Sequence, residues 1–265
     1  MPGRLAGKVY VVTGSTQGLG EAVARRFAAE GAAGVLVTAR DAARGAGVAA
    51  AVQAGGTDAL FVAAELADLD QVRRIVPAAE ARWGRIDGLV NAAAITDRGT
   101  LLSTDPELFE RMMAINVRAP FFLMQDGVKV MLRERIQGTI VNSLSMSAHG
   151  GQSFLTAYSA SKTALGGLTK NVAFQLLPHR IRVNGLNIGW MDTPGEHGIQ
   201  KRAHDAPPDW LAQAEAGRPF GRLLKPEEVA RVVAFLVSED SGMMTGSLVD
   251  MDQQVLGCAD EAPLP

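Results

Sequence analysis

Val9-Tyr10-Val11-Val12 is an unbroken run of β-branched and aromatic residues, the composition of a strand buried on both faces. It leads straight into Thr13-Gly14-Ser15-Thr16-Gln17-Gly18-Leu19-Gly20. An amphipathic stretch follows, with Val23, Phe27 and Ala28 on its apolar side, and ends before Gly31. Strand, glycine turn and helix in that order constrain the fold more than any other feature of the chain. Glycines permit a tight turn and let the backbone approach a pyrophosphate, while the helix N-terminus adds N–H donors and the positive end of a dipole. Gly14, Ser15, Gln17, Gly18, Leu19 and Gly20 are the candidate dinucleotide cradle. Their spacing is G-x-x-x-G-x-G, which departs from the G-x-G-x-x-G fingerprint.

The alternation continues. Gly34 to Thr38 reads as a second strand, closing at Ala39-Arg40-Asp41. An acid at this strand end would accept from both ribose hydroxyls of NAD, whereas an arginine pairs with the 2′-phosphate of NADP. Arg40 therefore points to NADP. The competing arrangement has Arg40 in solvent and Asp41 capping the next helix, and an Asp41 turned to the ribose leaves NAD open. Asp58 to Ala63 is a third strand, after which Glu65 and Leu66 are suited to contact the adenine, with a solvated Glu65 as the alternative. The helix expected over Leu69 to Trp83 contains Pro77, which predicts a kink or a break. A strand over Ile86 to Val90 runs into Asn91-Ala92-Ala93-Ala94, whose small side chains let the backbone pass close to a cofactor. Strands alternating with helices predict a parallel sheet covered on both faces.

Asp105 to Arg135 reads as mostly helical, with Asn116 set among apolar neighbours and Pro120 close behind. A buried amide must find partners, so Asn116 braces a local helix distortion or holds a water. The strand Gly138 to Asn142 is followed by Ser143, Ser145 and Ser147. Then comes Tyr158-Ser159-Ala160-Ser161-Lys162, which places a phenol and an ammonium one helical turn apart. Tyrosine, with an ordinary pKa of about 10, is a poor base at neutral pH. A nearby cation favours the phenolate and lowers that pKa, so the pair would exchange a proton with a hydroxyl near neutral pH. A hydroxyl at Ser145 would hold the substrate oxygen meanwhile. His149 and Gln152 lie between Ser145 and Tyr158 and either touch substrate or face water. The helix carrying Tyr158 extends to about Leu177, a strand covers Ile181 to Leu186, and an irregular excursion follows at about 190–222. A short helix from Pro226 and a last strand over Ser247 to Met251 complete the chain.

With 265 residues, 47% of them hydrophobic, one domain over 1–265 with a substantial core is expected. A net charge of −2 without single-sign runs gives no nucleic-acid surface. Cys258 is the only cysteine, which excludes an internal disulfide and a cysteine-based metal site, and no metal is expected. No apolar run approaches the ~20 residues of a membrane span, and Met1 to Lys8 has no apolar core of a leader, so a cytoplasmic protein is expected.

Six motifs in this order resemble those of the short-chain dehydrogenase/reductase family. They are Thr13-Gly14-x3-Gly18-x-Gly20, Asn91-Ala92-Ala93-Ala94, Asn116, Ser145, Tyr158-x3-Lys162 and Asn187-x-Gly189-x3-Thr193-Pro194. The resemblance covers Lys8 to about Gln254. It implies an α/β, Rossmann-like doubly wound single domain with a seven-stranded parallel sheet, and a homotetramer. It also implies a catalytic set of Asn116, Ser145, Tyr158 and Lys162. Tyr158 would be the general acid/base, Ser145 would orient the reacting oxygen, and Lys162 would lower the Tyr158 pKa and bind the nicotinamide ribose. Asn116 would hold a relay water. Gly189, Met191 and Thr193 would dock the nicotinamide and pyrophosphate, beside Asn91, Ala92 and Ala93.

Three departures stand out: Asn91-Ala92-Ala93-Ala94 for N-N-A-G, Ile188-Gly189 for Pro-Gly, and Asp252-Gln253-Gln254 for Asp-Gly-Gly. Polar residues near the site, Asp192, Glu196 and His197 together with His149, Gln152 and Trp190 as substrate candidates, lean towards a sugar or polyol as the small-molecule substrate. A 3-oxoacyl thioester or a cyclic ketone is the alternative. A non-catalytic NADP-binding protein is the alternative of another kind.

Overall fold

The computed structural model describes residues 3–258. Residues 1, 2 and 259–265 belong to the expected domain 1–265 and to the segments read for a leader and tail, but lie outside the described residues. Seven strands are β1 (Val9–Thr13), β2 (Gly34–Ala39), β3 (Asp58–Ala63), β4 (Gly88–Asn91), β5 (Thr139–Ser143), β6 (Arg182–Ile188) and β7 (Leu248–Met251). The helices between β1 and β4 are α1 (Gly18–Ala29), α2 (Ala42–Ala54) and α3 (Leu69–Trp83). Between β4 and β6 come α4 (Pro106–Met113), α5 (Ala119–Arg133) and α6 (Thr156–Leu176). Then α7 (Pro194–Ala203), α8 (Trp210–Ala216) and α9 (Pro226–Val237) precede β7. All strands are parallel, in the order β3-β2-β1-β4-β5-β6-β7. The order reverses direction between β1 and β4, which opens a crevice at the carboxyl ends of those strands.

Successive strand residues point to opposite faces, and both faces are apolar. On one face Tyr10, Val12, Val35 and Val37 pack on Val23 and Phe27 of α1 and Val229 and Val233 of α9. On the other, Val11, Leu36, Leu89 and Ile140 pack on Val72 and Ile75 of α3 and Leu123 of α5. Each such side chain contributes roughly 1.5–3 kcal/mol when fully buried. The doubly covered sheet is therefore the direct result of strands that carry no polar alternation.

The break expected at Pro77 does not occur: α3 is continuous from Leu69 to Trp83. Pro77 lies on the exposed side, while Val72, Ile75, Val76 and Ala79 are buried. Burial of that stripe outweighs the roughly 3 kcal/mol penalty of an interior proline. The distortion expected near Asn116 is present as a π turn over Ala114–Arg118, between α4 and α5. Among the described residues, no helix is long and apolar enough to cross a membrane.

Candidate active site

The carboxyl ends of the strands and the segment from β6 to α9 enclose a cleft of about 1250 Å³. Its first wall is the glycine turn. Gly14 has φ +64°, and a Cβ there would stand 2.7 Å from the Ala93 Cα. A Cβ on Gly20 would lie 2.3 Å from the Gly14 carbonyl oxygen. Only glycine fits either position, so the turn offers bare backbone. Asp41 caps α2 and Asp68 caps α3, but α1 begins at Gln17 with no side-chain cap. Its first N–H groups are left for an anion. These residues fit the pyrophosphate of a dinucleotide.

Gly14, Gln17, Gly18, Leu19 and Gly20 all line the cleft, as does Thr16. Ser15 does not, which corrects its assignment to the cradle. It is fully buried, its Oγ donating to the Val12 carbonyl at 2.8 Å and accepting from the Thr38 amide at 2.9 Å. It ties β1 to β2 beneath the turn.

Arg40, Glu65 and Leu66 line the end of the cleft beyond β2 and β3. Arg40 Nη1 lies 3.5 Å from Glu65 Oε2, so the two face each other. Asp41 is committed to its helix, accepting from the Arg44 amide at 3.0 Å. The Arg44 guanidinium reaches Gln17 Oε1 at 3.1 Å, a second cation beside the glycine turn that no motif announced.

Beyond β4, Ala92 and Ala93 line the cleft and Asn91 does not, a second correction. Asn91 Nδ2 donates to Asn142 Oδ1 at 2.8 Å, between neighbouring strands. Thr13, which sequence reasoning missed, shapes this wall. Its Oγ1 accepts from the Ala92 and Ala93 amides, both at 3.1 Å, pulling that turn against Gly14. Asn116 is buried and stands outside the cleft lining. Its Oδ1 accepts from the Ile95 amide and its Nδ2 donates to the Ile95 carbonyl and Ser161 Oγ, each at 3.0 Å. The side chain thus braces the π turn, the first of the two roles expected of it.

Ser145, Tyr158 and Lys162 meet on the cleft floor. Ser145 lies close enough to the Tyr158 phenol for its hydroxyl to act on it, and Ser145 Oγ accepts from the Ser147 amide at 3.1 Å. Lys162 is fully buried, with Nζ donating to the Ser143 carbonyl at 2.8 Å and lying 5.7 Å from the centre of the Tyr158 ring. Burial pushes the Tyr158 phenol up to about 12, against smaller lowering by the Ser145 hydroxyl and the Arg98 charge. Burial pulls the Lys162 ammonium down to about 8. The expected lowering of the phenol by Lys162 is therefore corrected. Desolvation governs both groups, because the ammonium is directed at a carbonyl oxygen rather than the phenol. At neutral pH the floor carries a protonated phenol and a charged lysine.

The far wall comes from the chain after β6. Gly189 touches Asp252, where a Cβ would lie 2.1 Å from Oδ1, and Asp252 and Gln254 line the cleft. Thr193 caps α7, its Oγ1 accepting from the Glu196 amide at 3.1 Å. Met191, Trp190 and Gln152 line the cleft too. Trp190 packs on Trp210 at 6.0 Å and has the Arg218 guanidinium 5.0 Å from its ring. His149 is not in the lining. Its Nε2 is held 3.1 Å from Asp250 Oδ1 and 2.9 Å from Asn187 Nδ2, at the β6–β7 edge, so contact with substrate is corrected to a structural tie. Glu196 was expected among the polar residues around the site, whereas Arg98 was missed from sequence; both line this wall as an ion pair at 3.1 Å.

Comparison with known proteins agrees with this geometry. The family profile described as enoyl-(acyl carrier protein) reductase matches residues 14–253. Galactitol 2-dehydrogenase of Agrobacterium fabrum is 34% identical, over 94% of this chain and 97% of that protein. The 3-oxoacyl-[acyl-carrier-protein] reductase FabG of Thermotoga maritima is also 34% identical, over 94% of this chain and 98% of that protein. The crystal structure of a short-chain type dehydrogenase/reductase from Mycobacterium marinum superposes with a TM-score of 0.85 at 32% identity, over 94% of this chain and 95% of that one. The matches span nearly the whole chain and its seven-stranded parallel sheet, and the protein is an oxidoreductase that belongs to the short-chain dehydrogenase/reductase family.

Proposed function

We propose that this enzyme interconverts a secondary hydroxyl of a sugar or polyol and the corresponding carbonyl, with NADP preferred over NAD. The observation that carries the reading is that Ser145, Tyr158 and Lys162 share the floor of one cleft whose far wall holds Arg98, Glu196 and Gln200. When bound, the nicotinamide supplies the hydride. Ser145 and Tyr158 grip the reacting oxygen; in reduction Tyr158, protonated at neutral pH, gives its proton to that oxygen, and in oxidation its phenolate form, the minor one at neutral pH, takes the alcohol's proton. Lys162, charged below about pH 8, offers donors towards the ribose. Gly14, Gln17, Gly18, Leu19 and Gly20 hold the pyrophosphate, Glu65 and Leu66 the adenine, and Gly189, Met191 and Thr193 the nicotinamide. Arg40, with Arg44 close to Gln17, supports the NADP preference through its guanidinium, and committed Asp41 weighs against an NAD-type ribose contact.

A second reading, reduction of a 3-oxoacyl thioester or a cyclic ketone, is supported by the equal identity to the Thermotoga protein. A panel of polyols, sugars, cyclic ketones and 3-oxoacyl thioesters, followed by cofactor absorbance, tests both. Turnover of polyols or sugars is expected, and activity confined to acyl thioesters would remove the leading reading. The proposal extends to a homotetramer, supported by the exposed Phe121, Phe174 and Leu177 of the α5–α6 region. Light scattering that shows a monomer would remove that part.

A further inference from the structure

Glu196 is built into the cleft as a fixed acceptor that the Tyr158 chemistry does not use. Three donors converge on one of its oxygens, Oε1: the Trp190 indole N–H at 2.9 Å, Gln200 Nε2 at 2.7 Å and Arg98 Nη2 at 3.1 Å. They come from the loop after β6, from the next turn of α7 and from the loop after β4. Bonds from three directions fix the carboxylate, and the one from Arg98 is of the strong, charge-assisted kind. The other oxygen, Oε2, accepts from none of the described residues, and it is not among the sealed polar atoms that lack a partner. The side chain is only 13% exposed, and what it faces is the cleft that holds Ser145 and Tyr158. Oε2 is therefore the one acceptor of this fixed carboxylate that stays open to a group entering the cleft.

Arg98 supplies the complementary half. Its Nε faces His204 Nε2 at 3.1 Å, Nη1 donates to the Thr96 carbonyl at 2.9 Å and Nη2 to Glu196. That leaves two of the five N–H groups of a guanidinium. Phe154 lies under the guanidinium at 5.6 Å and helps to fix its plane. Both charges act on the Tyr158 phenol, Arg98 lowering its pKa and Glu196 raising it, and both line the cleft that holds Ser145 and Tyr158.

We propose that Glu196 and Arg98 form a subsite for a second hydroxyl of the substrate, which donates to Glu196 Oε2 and accepts from a free N–H of Arg98. The inference rests on the polyol reading and sharpens it. A hydroxyl is donor and acceptor at once and satisfies both groups. A simple cyclic ketone, or a 3-oxoacyl chain at this place, has no hydrogen to give to Oε2 and would displace the water there without replacing its bond, which a site built for a hydroxyl penalises.

The test measures Glu196→Gln beside the wild-type enzyme with galactitol, sorbitol and NADP⁺. Glutamine keeps an oxygen for the three donors and turns an NH₂ towards the cleft in place of the charged acceptor. The expected result is a KM for the polyols raised roughly tenfold with kcat within about threefold, because a contact present in ground and transition states is lost. The dissociation constant for NADPH stays within about twofold. Arg98→Lys, which loses the planar fork, gives the same split. A purely structural role for Glu196 would instead lower kcat and weaken NADPH binding together with the rise in KM, and that result overturns the proposal. An unmoved polyol KM overturns it as well, with the polyol reading intact. A wild-type enzyme that oxidises no polyol overturns the proposed function and this subsite with it.

Discussion

At the scale of single residues, Lys162 is the side chain whose placement opposes stability most plainly. Burial lowers its pKa from the ordinary 10.5 to about 8. A depressed folded value means that the folded chain binds that proton less tightly than the unfolded chain. Its contribution is therefore fully favourable only above the unfolded value and is lost as pH falls through about 8. Below that, a buried ammonium penalises folding by about 3 kcal/mol. Lys162→Met removes the charge but takes the donor from the Ser143 carbonyl, worth about 1 kcal/mol. The variant is expected to be inactive and about 2 kcal/mol more stable in urea unfolding at neutral pH. That advantage disappears across the window from about 8 to 10.5. An advantage independent of pH, or a loss at neutral pH, contradicts the assignment of a charged buried lysine. Arg40 makes a second expectation at this scale. Arg40→Ala should weaken NADPH roughly 10- to 100-fold, the worth of a charge-assisted phosphate contact, and NADH far less. Calorimetric titration with both nucleotides checks it, and equal weakening would show that Arg40 does not read a phosphate.

At the scale of elements, what positions the site is the set of caps and ties at the strand ends. Asp41, Asp68 and Thr193 satisfy the first turns of α2, α3 and α7, which leaves α1 with open N–H groups at the glycine turn. The segment carrying α7 and α8 is anchored at both ends. Lys225 Nζ lies 2.8 Å from Asp192 Oδ2, and Gln253 accepts from the Phe220 amide at 2.9 Å. The polar residues that replace glycines after Asp252 thus hold the chain over the cleft. α3 shows an element overruling a residue: its apolar stripe keeps the helix whole through Pro77. Pro77→Ala restores a backbone donor there and is expected to raise stability by about 1–3 kcal/mol with activity unchanged, read by chemical denaturation. No gain would mean that the helix has already adapted its backbone around the proline.

Which parts of this were legible in the sequence follows from what a chain pattern encodes. Strands such as Val9–Thr13 and the glycine turn after them are written in local composition and were found in place. Ser15, Asn91 and Asn116 occupy motif positions near the cleft, but position along a chain does not tell which way a side chain points. Each turned inward to satisfy buried backbone or amide groups. The same holds for the phenol: spacing places Tyr158 and Lys162 a turn apart, while the sign of the phenol's shift depends on burial and on the Ser143 carbonyl. Arg98 and Glu196, 98 residues apart, have no common motif and meet only because β4 and β6 end at the same crest.

At the scale of the whole molecule, two layers of helices lock a sheet whose reversal between β1 and β4 leaves one deep crevice. The glycine turn lies on one side of it, the floor proposed to exchange the proton follows β5, and a polar wall follows β6. The division of labour makes a direct demand: dinucleotide binding and proton exchange are separable. Tyr158→Phe tests this most simply, because it removes one oxygen from the floor and leaves the glycine turn untouched. The expected outcome is turnover reduced by about 10²- to 10⁴-fold with the NADPH dissociation constant within a few-fold of wild type. Undiminished turnover of a substrate that the wild-type enzyme accepts would contradict the account.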